Sequence, residues 1–483
     1  MTNLICPVVL ATALSLAACA VGPEFQQPKM ALPAQYAHQA SSDPLAGTVL
    51  PDAADTEFWR RFEDPQLSAL VRLALDANKD LRVSLARYDS ANALLRQAKF
   101  DYVPTVTANA LGGHQEVSQA LSYGYPRNYY DYSVGANASW ELDLFGRVRR
   151  SVESQRARTA ASAEDLAALQ VAVVGEAAGT YIQLRGLQER LRITRQNVLN
   201  QNETLHLVEA RLSAGRGTTF DTARERAQWE TTGSQVPALE AQIAVAEHRL
   251  AVLTGRPPEA LIAELDPAKP LLAVPAQIDA GTPADLLRRR PDIAAAEARL
   301  HAATAQVGVA TADLFPRLSL IGALGTMAIQ TGGLFEGSSR TSLAALGIDW
   351  SFLDVGRVRA RIAASQADAA GMLAQYQQTV LLALEDTENA LVRFAKTRDE
   401  DEQLELAAHD SEQAAALAGT RYRAGAIGLY EVLDAEHNVL IAQYAFVDSR
   451  MRSATAAVAL YQALAGGWPQ HEMMRRTSKA TKE

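Results

Sequence analysis

Cysteine is almost missing from this chain. Cys6 and Cys19 are the two it has in 483 residues, and both lie in the first nineteen. If that stretch is processed, no disulfide can form within what remains. No run of about 20 apolar residues follows the N-terminus, which excludes a helical membrane span. Positive charge is not in excess either: the formal charge is -9 and the pI is near 5.5, which argues against nucleic acid as a partner. Catalytic motifs are absent as well. There is no P-loop, dinucleotide fingerprint, zinc-spaced histidine pair or activated-serine elbow. The eight histidines are scattered; His409 beside Asp410 reads as a solvated helix face. No catalytic set, cofactor site or energy-consuming site can be assembled, so an enzyme is the least supported class and any transport is passive.

Proline is missing from two long stretches, and there the chain declares its architecture. Arg147 to Leu212 holds no proline and only Gly175, Gly179 and Gly186. Alternating steps of three and four from Ala163 reach Leu166, Gln170, Val173, Ala177, Thr180, Leu184, Leu187, Leu191, Thr194, Val198, Gln201, Leu205, Val208 and Leu212. Eleven of these fifteen positions are apolar, the heptad signature of a helix packed along its whole length. At ~1.5 Å per residue it is roughly 100 Å long. The second stretch, Pro316 to Pro469, allows a helix from Arg357 to about Tyr422.

The N-terminus reads as an address. Leu4 to Ala18 is an apolar, uncharged signal segment ending in Leu16-Ala17-Ala18-Cys19. That tetrad resembles a bacterial lipobox, which implies cleavage after residue 18 and a lipid on Cys19. Ala20 in place of Asp implies sorting to the outer membrane. The absence of Lys or Arg before Leu4 departs from the usual signal. Residues 19–56, with Pro23, Pro28, Pro33, Pro44 and Pro51, are expected to be extended chain over the body.

An internal duplication sets the organisation. At an offset near 210, Trp140 and Gly146-Arg147-Val148-Arg149 recur as Trp350 and Gly356-Arg357-Val358-Arg359, and Arg211, Ala214 and Gly215 recur as Arg421, Ala424 and Gly425. Leu253-Thr254-Gly255 answers to Leu464-Ala465-Gly466. The repeats are assigned to 57–255 and 284–466, with a proline-rich linker at 256–283 and a disordered tail at 467–483. Each long helix ends at glycines suited to a left-handed cap, Gly215 and Gly217 in one half and Gly425 and Gly428 in the other. Pro237 should kink or break the first return helix.

Between the helices the period changes from 3.6 to 2. Tyr132, Val134, Ala136, Ala138, Trp140 and Leu142 alternate with Ser133, Gly135, Asn137, Ser139 and Glu141. Ala344, Leu346, Ile348, Trp350 and Phe352 alternate with Ala345, Gly347, Asp349 and Ser351. A weaker strand precedes each, giving hairpins at 104–142 and 316–352. A soluble half-buried sheet would show the same alternation. Topology decides for a transmembrane barrel: helices enter and leave each hairpin on one side, while the far loops, 112–130 and 325–342, are polar. Trp140 and Trp350 would then be interface aromatics. Four strands close no barrel, because small barrels start at about eight, so several protomers must share one.

At this point the residues resemble the TolC-like outer-membrane efflux channels, in their NodT-type lipoprotein branch. The resemblance rests on Cys19-Ala-Val-Gly-Pro-Glu-Phe25, Phe58-Trp59, Asp64-Pro65-Gln66-Leu67, Arg289-Arg290-Pro291-Asp292-Ile293, Phe315-Pro316, Asp354-Val-Gly-Arg-Val-Arg359, Arg421-Tyr-Arg-Ala-Gly425 and Val432-Leu433-Asp434. It implies a mainly α chain with a small β part, forming a homotrimer: a twelve-stranded β-barrel in the outer membrane, continuous with a periplasmic α-barrel. It also implies a periplasmic membrane-fusion adaptor and an inner-membrane, proton-driven RND-type transporter as partners, in a three-part drug efflux system. By match to the family's aperture, Tyr430, Glu431 and Asp434 line or brace a gate, with Phe220, Asp221 and Arg224 at the equivalent offsets. An Arg224–Asp434 ion pair and a Tyr422–Asp221 bond are expected to close it. The family often has a basic residue where Ile427 stands. The turns Arg211 to Gly217 and Arg421 to Gly428 are where adaptor hairpins would dock. The acidic run Asp399 to Glu402 is expected to be a wetted outer face. Two rivals stand beside this reading: the outer component of a protein- or peptide-secretion system on the same fold, and a periplasmic coiled-coil adaptor, which would need no alternating strands.

Overall fold

The structure is a computed structural model that describes residues 20–38, 57–121 and 127–465. The signal segment, Cys19, residues 39–56 and the tail beyond 465 lie outside the described residues. In chain order the elements are α1 (Pro65–Ala77), α2 (Lys79–Lys99), β1 (Thr105–Glu116), β2 (Asn128–Leu142), α3 (Arg147–Ser213), α4 (Thr219–Gly233) and α5 (Gln235–Leu253). They continue with α6 (Ile262–Leu265), α7 (Pro283–Arg289), α8 (Pro291–Ala312), β3 (Arg317–Ala328), β4 (Arg340–Asp349), α9 (Val355–Arg423) and α10 (Leu429–Ala463). The chain divides into two compact units. One comprises residues up to 30 with 86–163 and 295–379; the other comprises 31–85, 164–294 and 380 onward. Both long helices, α3 and α9, run from the first unit into the second.

In the first unit the strands form one antiparallel sheet in the order β1-β2-β3-β4. Helix α3 starts where it does because the Asp143 carboxylate accepts from the amides of Val148 and Arg149, each at 2.9 Å, satisfying two of the donors a helix start leaves open. Residues 20–30 run extended along this unit. Val21 donates to the Phe145 carbonyl at 3.1 Å, the Phe25 ring stacks on His301 at 4.4 Å, and Gln27 bonds Glu297 at 2.9 Å. Gly146 sits at φ 82°, where a Cβ would come within 2.7 Å of the Ala20 side chain. The strap and the helix start therefore require a glycine there.

In the second unit the core follows the seam of α3. Leu166, Val173, Ala177, Leu184, Leu187, Leu191, Leu205 and Val208 are buried, and so are the polar seam residues Gln170, Thr194 and Gln201. Each buried leucine or valine is worth about 1.5–3 kcal/mol. The family-like motifs prove to be brackets. Asp64 caps α1 through the amides of Gln66 and Leu67 and accepts the Tyr181 hydroxyl at 2.7 Å. Fully buried Arg185 donates to Gln66 at 2.7 Å, Gln188 at 2.5 Å and the carbonyls of Leu265 and Pro267 at 3.2 and 2.9 Å. It thereby pins the proline-rich linker to α1 and α3. Arg290 pairs with Asp292 and Asp386 at 2.7 and 3.3 Å.

The return helix of the first half breaks at Ser234, between α4 and α5. That is the break expected from Pro237: it has no N–H to offer the Gly233 carbonyl one turn back, so the helix is interrupted there and Pro237 falls in the first turn of α5. Other expectations need correction. Asp401 is not part of a wetted face. It is buried and accepts from Ser449 at 2.9 Å and Arg450 at 3.2 Å, because helical spacing turns it away from exposed Asp399 and Glu402. The mate of Gly255 is Ala465, not Gly466: both are left-handed, at φ 71° and 58°.

Candidate functional site: a sheet with open edges and two glycine turns

Register across the sheet joins the alternating faces of both halves into rows. Val106 pairs with Ala138, which pairs with Gly322 and then Ala344. Trp140 pairs with Leu320 and then Leu346, and Leu142 with Leu318 and then Ile348. This apolar face is uncovered: Val106, Leu320, Leu324, Leu346 and Ile348 are all exposed. On the other face Asn137 donates to Asn109 at 2.9 Å, beside Thr105, Thr107 and Ser139. In the second half Ile321 and Leu343 interrupt that polar face. The strands are 12, 15, 12 and 10 residues long, enough to cross a bilayer at the usual tilt. They leave shorter loops than the alternation indicated. β1 and β4 are the edges, each paired on one side only.

The two tryptophans mark matching junctions. Trp140 donates its indole N–H to the Tyr102 carbonyl at 3.1 Å, and Trp350 to the Leu314 carbonyl at 3.0 Å. Each acceptor lies two residues before the proline that ends the incoming helix. The strand alternation expected to run through Phe352 stops at Asp349. Trp350 turns to its carbonyl partner, and Phe352–Asp354 form a short 3-10 turn instead.

At the far ends of α3 and α9 the two halves close with the same bonds. Gly215 (φ 72°) and Gly425 (φ 74°) take the left-handed position. Around them Gly215 N bonds Leu212 O and Arg216 N bonds Arg211 O, while Gly425 N bonds Tyr422 O and Ala426 N bonds Arg421 O, all at 2.8–2.9 Å. These are Schellman caps. Gly217 and Gly428 have no such role. A Cβ on Gly217 would press on the Leu212 backbone at 3.1 Å, and Gly428 is the N-cap of α10 at φ -82°.

The aperture residues gather at these turns, with partners other than those expected. Asp221 closes a capping box with Thr218, accepting its hydroxyl at 2.7 Å, so it does not meet Tyr422. Tyr422 is buried, and its hydroxyl accepts from Arg211, whose guanidinium lies 4.3 Å from the ring centre. Arg224 does not reach Asp434 either. Its guanidinium lies 4.7 Å over the Tyr430 ring, while Asp434 accepts from Asn438 at 3.3 Å. Cation–ring stacking keeps Arg224 partly hydrated, which an ion pair between two exposed side chains would not improve by much. Glu431 holds the third position of α10, as Asp221 does in α4, where a helix N-terminus favours an acid. Phe220 and Tyr430 both stand exposed.

Two features were missed in the sequence. Arg211, assigned to docking, ties the halves together through Tyr422. That joint had a signal, since Leu212 closes the α3 seam and Tyr422 is its repeat mate. A carboxylate pair, buried Glu225 on α4 with half-buried Glu436 on α10, lies between these helices. It too had a signal: Thr222, Glu225, Trp229 and Thr232 follow a three-four-three spacing, which puts the acid on a packed face.

A sheet that is apolar outside and open at both edges, grown from long helices that turn back through glycine caps, is a portion of a shared channel wall. Comparison with known proteins places it further. Residues 70–256 and again 282–466 match the outer membrane efflux protein family, and the chain belongs to that family. It is similar to the outer membrane protein OprJ of Pseudomonas aeruginosa, 33% identical with 95% of each chain covered. It is also similar to nodulation protein T of Rhizobium leguminosarum bv. viciae, 30% identical over 94% of this chain and 92% of that one. Among solved structures, the outer-membrane channel OprN aligns with a TM-score of 0.85 and 39% identity, covering 93% of this chain and 100% of that one. The open state of the MtrE outer membrane channel of Neisseria gonorrhoeae aligns with a TM-score of 0.82 and 28% identity, covering 94% and 99%. The protein is an outer-membrane efflux channel of the TolC-like fold.

Proposed function

We propose that three copies pool their sheets into a twelve-stranded barrel and their helices into a periplasmic tunnel. The assembly acts as the passive exit duct of a tripartite pump for drugs and other small molecules. The observation that carries this is the uncovered apolar sheet with two open edges. In lipid each unpaired backbone group costs several kcal/mol, and neighbouring copies remove that cost without any other partner. The driving force comes from an inner-membrane RND-type transporter, reached through a periplasmic adaptor docked at Arg211–Gly217 and Arg421–Gly428. The duct needs no catalytic residue and no cofactor; a lipid on Cys19 anchors it. Trp140 and Trp350 stand at the membrane interface. The alternating strands argue against the adaptor rival, and the relatives named for efflux and export favour efflux over protein secretion.

The gate lies at the two turns. Tyr422 and Asp221 brace it, Arg224 on Tyr430 joins its two halves, and Phe220, Glu431 and Asp434 face the opening. Charge at a constriction sets conductance, so Asp434→Ala should raise single-channel conductance of the purified protein in a planar bilayer. Unchanged conductance would remove Asp434 from the gate, and a preparation that never conducts would remove the duct.

A further inference from the structure

Inside the helical wall, two turns in from the glycine caps, two acids face each other where apolar side chains would be expected. Glu225 on α4 is fully buried, and neither of its carboxyl oxygens has a hydrogen-bond partner among the described residues. Glu436 on α10 lies one helical turn from buried Val432 and from buried Leu440, in the middle of that helix's packed stripe. Its Oε2 is also buried without a partner. The charged groups that act on Glu225 are Glu436 and Arg224. On α4 itself, Arg224 is turned over the Tyr430 ring and Arg226 is paired with Glu209 of α3 at 2.7 Å. On α10, Asp434 is exposed and bonded to Asn438. On α3, the group beside Glu436 is the neutral Thr204 hydroxyl. Among the described residues the one cation acting on Glu225 is Arg224, and it is engaged with the Tyr430 ring.

We propose that Glu225 and Glu436 form a proton-binding pair that holds α4 against α10 while at least one proton is bound, and that losing it loosens the start of both helices at the gate. The first half of this stands on packing alone; the link to gating rests on the duct reading above. A fully buried carboxylate beside a half-buried one cannot ionise along with it without driving their helices apart or drawing in water. Burial first, then the Glu436 charge, pushes Glu225 from 4.5 up to about 7, against the smaller pull of Arg224. Burial likewise raises Glu436. The sign follows. An acid whose folded value is raised favours the closed packing at low pH, and that advantage is lost as pH rises from 4.5 through about 7.

The test is hydrogen exchange on the full chain purified in detergent, corrected for intrinsic rates, at pH 5.5 and 8. In the wild type, opening of residues 219–233 and 429–440 should increase about tenfold or more over that range. Glu225→Gln, which keeps the shape and removes that charge, should take away most of the dependence and leave the smaller part due to Glu436, and Glu436→Gln should weaken it. A flat wild type, or a Glu225→Gln chain that opens with pH as the wild type does, would overturn the proposal. In a planar bilayer the wild-type conductance should rise over the same range and that of Glu225→Gln should rise much less. PH-dependent exchange in a chain that conducts nothing would support the proton pair while counting against the duct.

Discussion

At the ends of their long helices the two halves of this chain use the same bonds; elsewhere their fastenings differ. Both carry the Schellman cap at a left-handed glycine, and both latch a strand to an incoming helix through a tryptophan N–H. The first half alone has the N-terminal strap on Gly146; at Gly356 a Cβ would meet open space. The first return helix begins in a capping box and breaks at Ser234, whereas the second begins at an uncapped glycine and runs unbroken for 35 residues. The linker is gripped unequally as well. Buried Arg185 holds its start, and exposed Arg398 holds the Ala276 carbonyl further on. What is duplicated is the path of the chain, strand to long helix to return helix; what is single is the fastening of the N-terminal strap and of the linker.

The unequal grip predicts the largest effect. Arg185→Ala leaves Gln66, Gln188 and two carbonyls short of a donor in a closed core, and should cost about 3–5 kcal/mol. Arg398→Ala, at the surface, should cost under ~1 kcal/mol. Denaturant melts of the detergent-solubilised variants measure both. Equal losses would mean that the two ends of the linker are held alike.

A smaller effect separates the matched caps Gly255 and Ala465. Gly255 needs its left-handed φ and has the Ala77 carbonyl 2.4 Å from where a Cβ would sit, so Gly255→Ala should cost about 1–2 kcal/mol or more. Ala465 takes the same conformation with a Cβ, so Ala465→Gly should stabilise by about 0.5–1 kcal/mol. The same melts read this swap, and a loss on Ala465→Gly would show that the Cβ contributes packing worth more than the strain.

Most of the architecture was legible because it is written in period. The seam from Leu166 to Val208 and the alternation of Val134 to Trp140 are local patterns that tertiary structure only had to bury or leave bare. The glycine caps were legible for a related reason, since φ near 70° admits few residues other than glycine; Gly217 and Gly428 were misread because glycine also serves where space is short or a cap is missing. The partners of the turn residues were not legible. Tyr430 and Asp434 lie one turn apart on the same face of α10, so which of them Arg224 meets depends on how far α4 is offset along α10, and the sequence does not fix that offset. Glu225 was missed because an acid in a sequence reads as solvated until the helix it faces is known.

If other copies complete the wall that this sheet begins, β1 of one copy lies beside β4 of the next. Ala108→Cys on β1 can be combined in turn with Ser342→Cys, Ala344→Cys or Leu346→Cys on β4, positions that share its apolar face, and oxidised in the membrane. At least one combination should give a covalent ladder ending at three chains, at three times the mass of the monomer band, with neither single variant doing so. A product confined to one chain in every combination, with β1 bonded to its own β4, would contradict that arrangement.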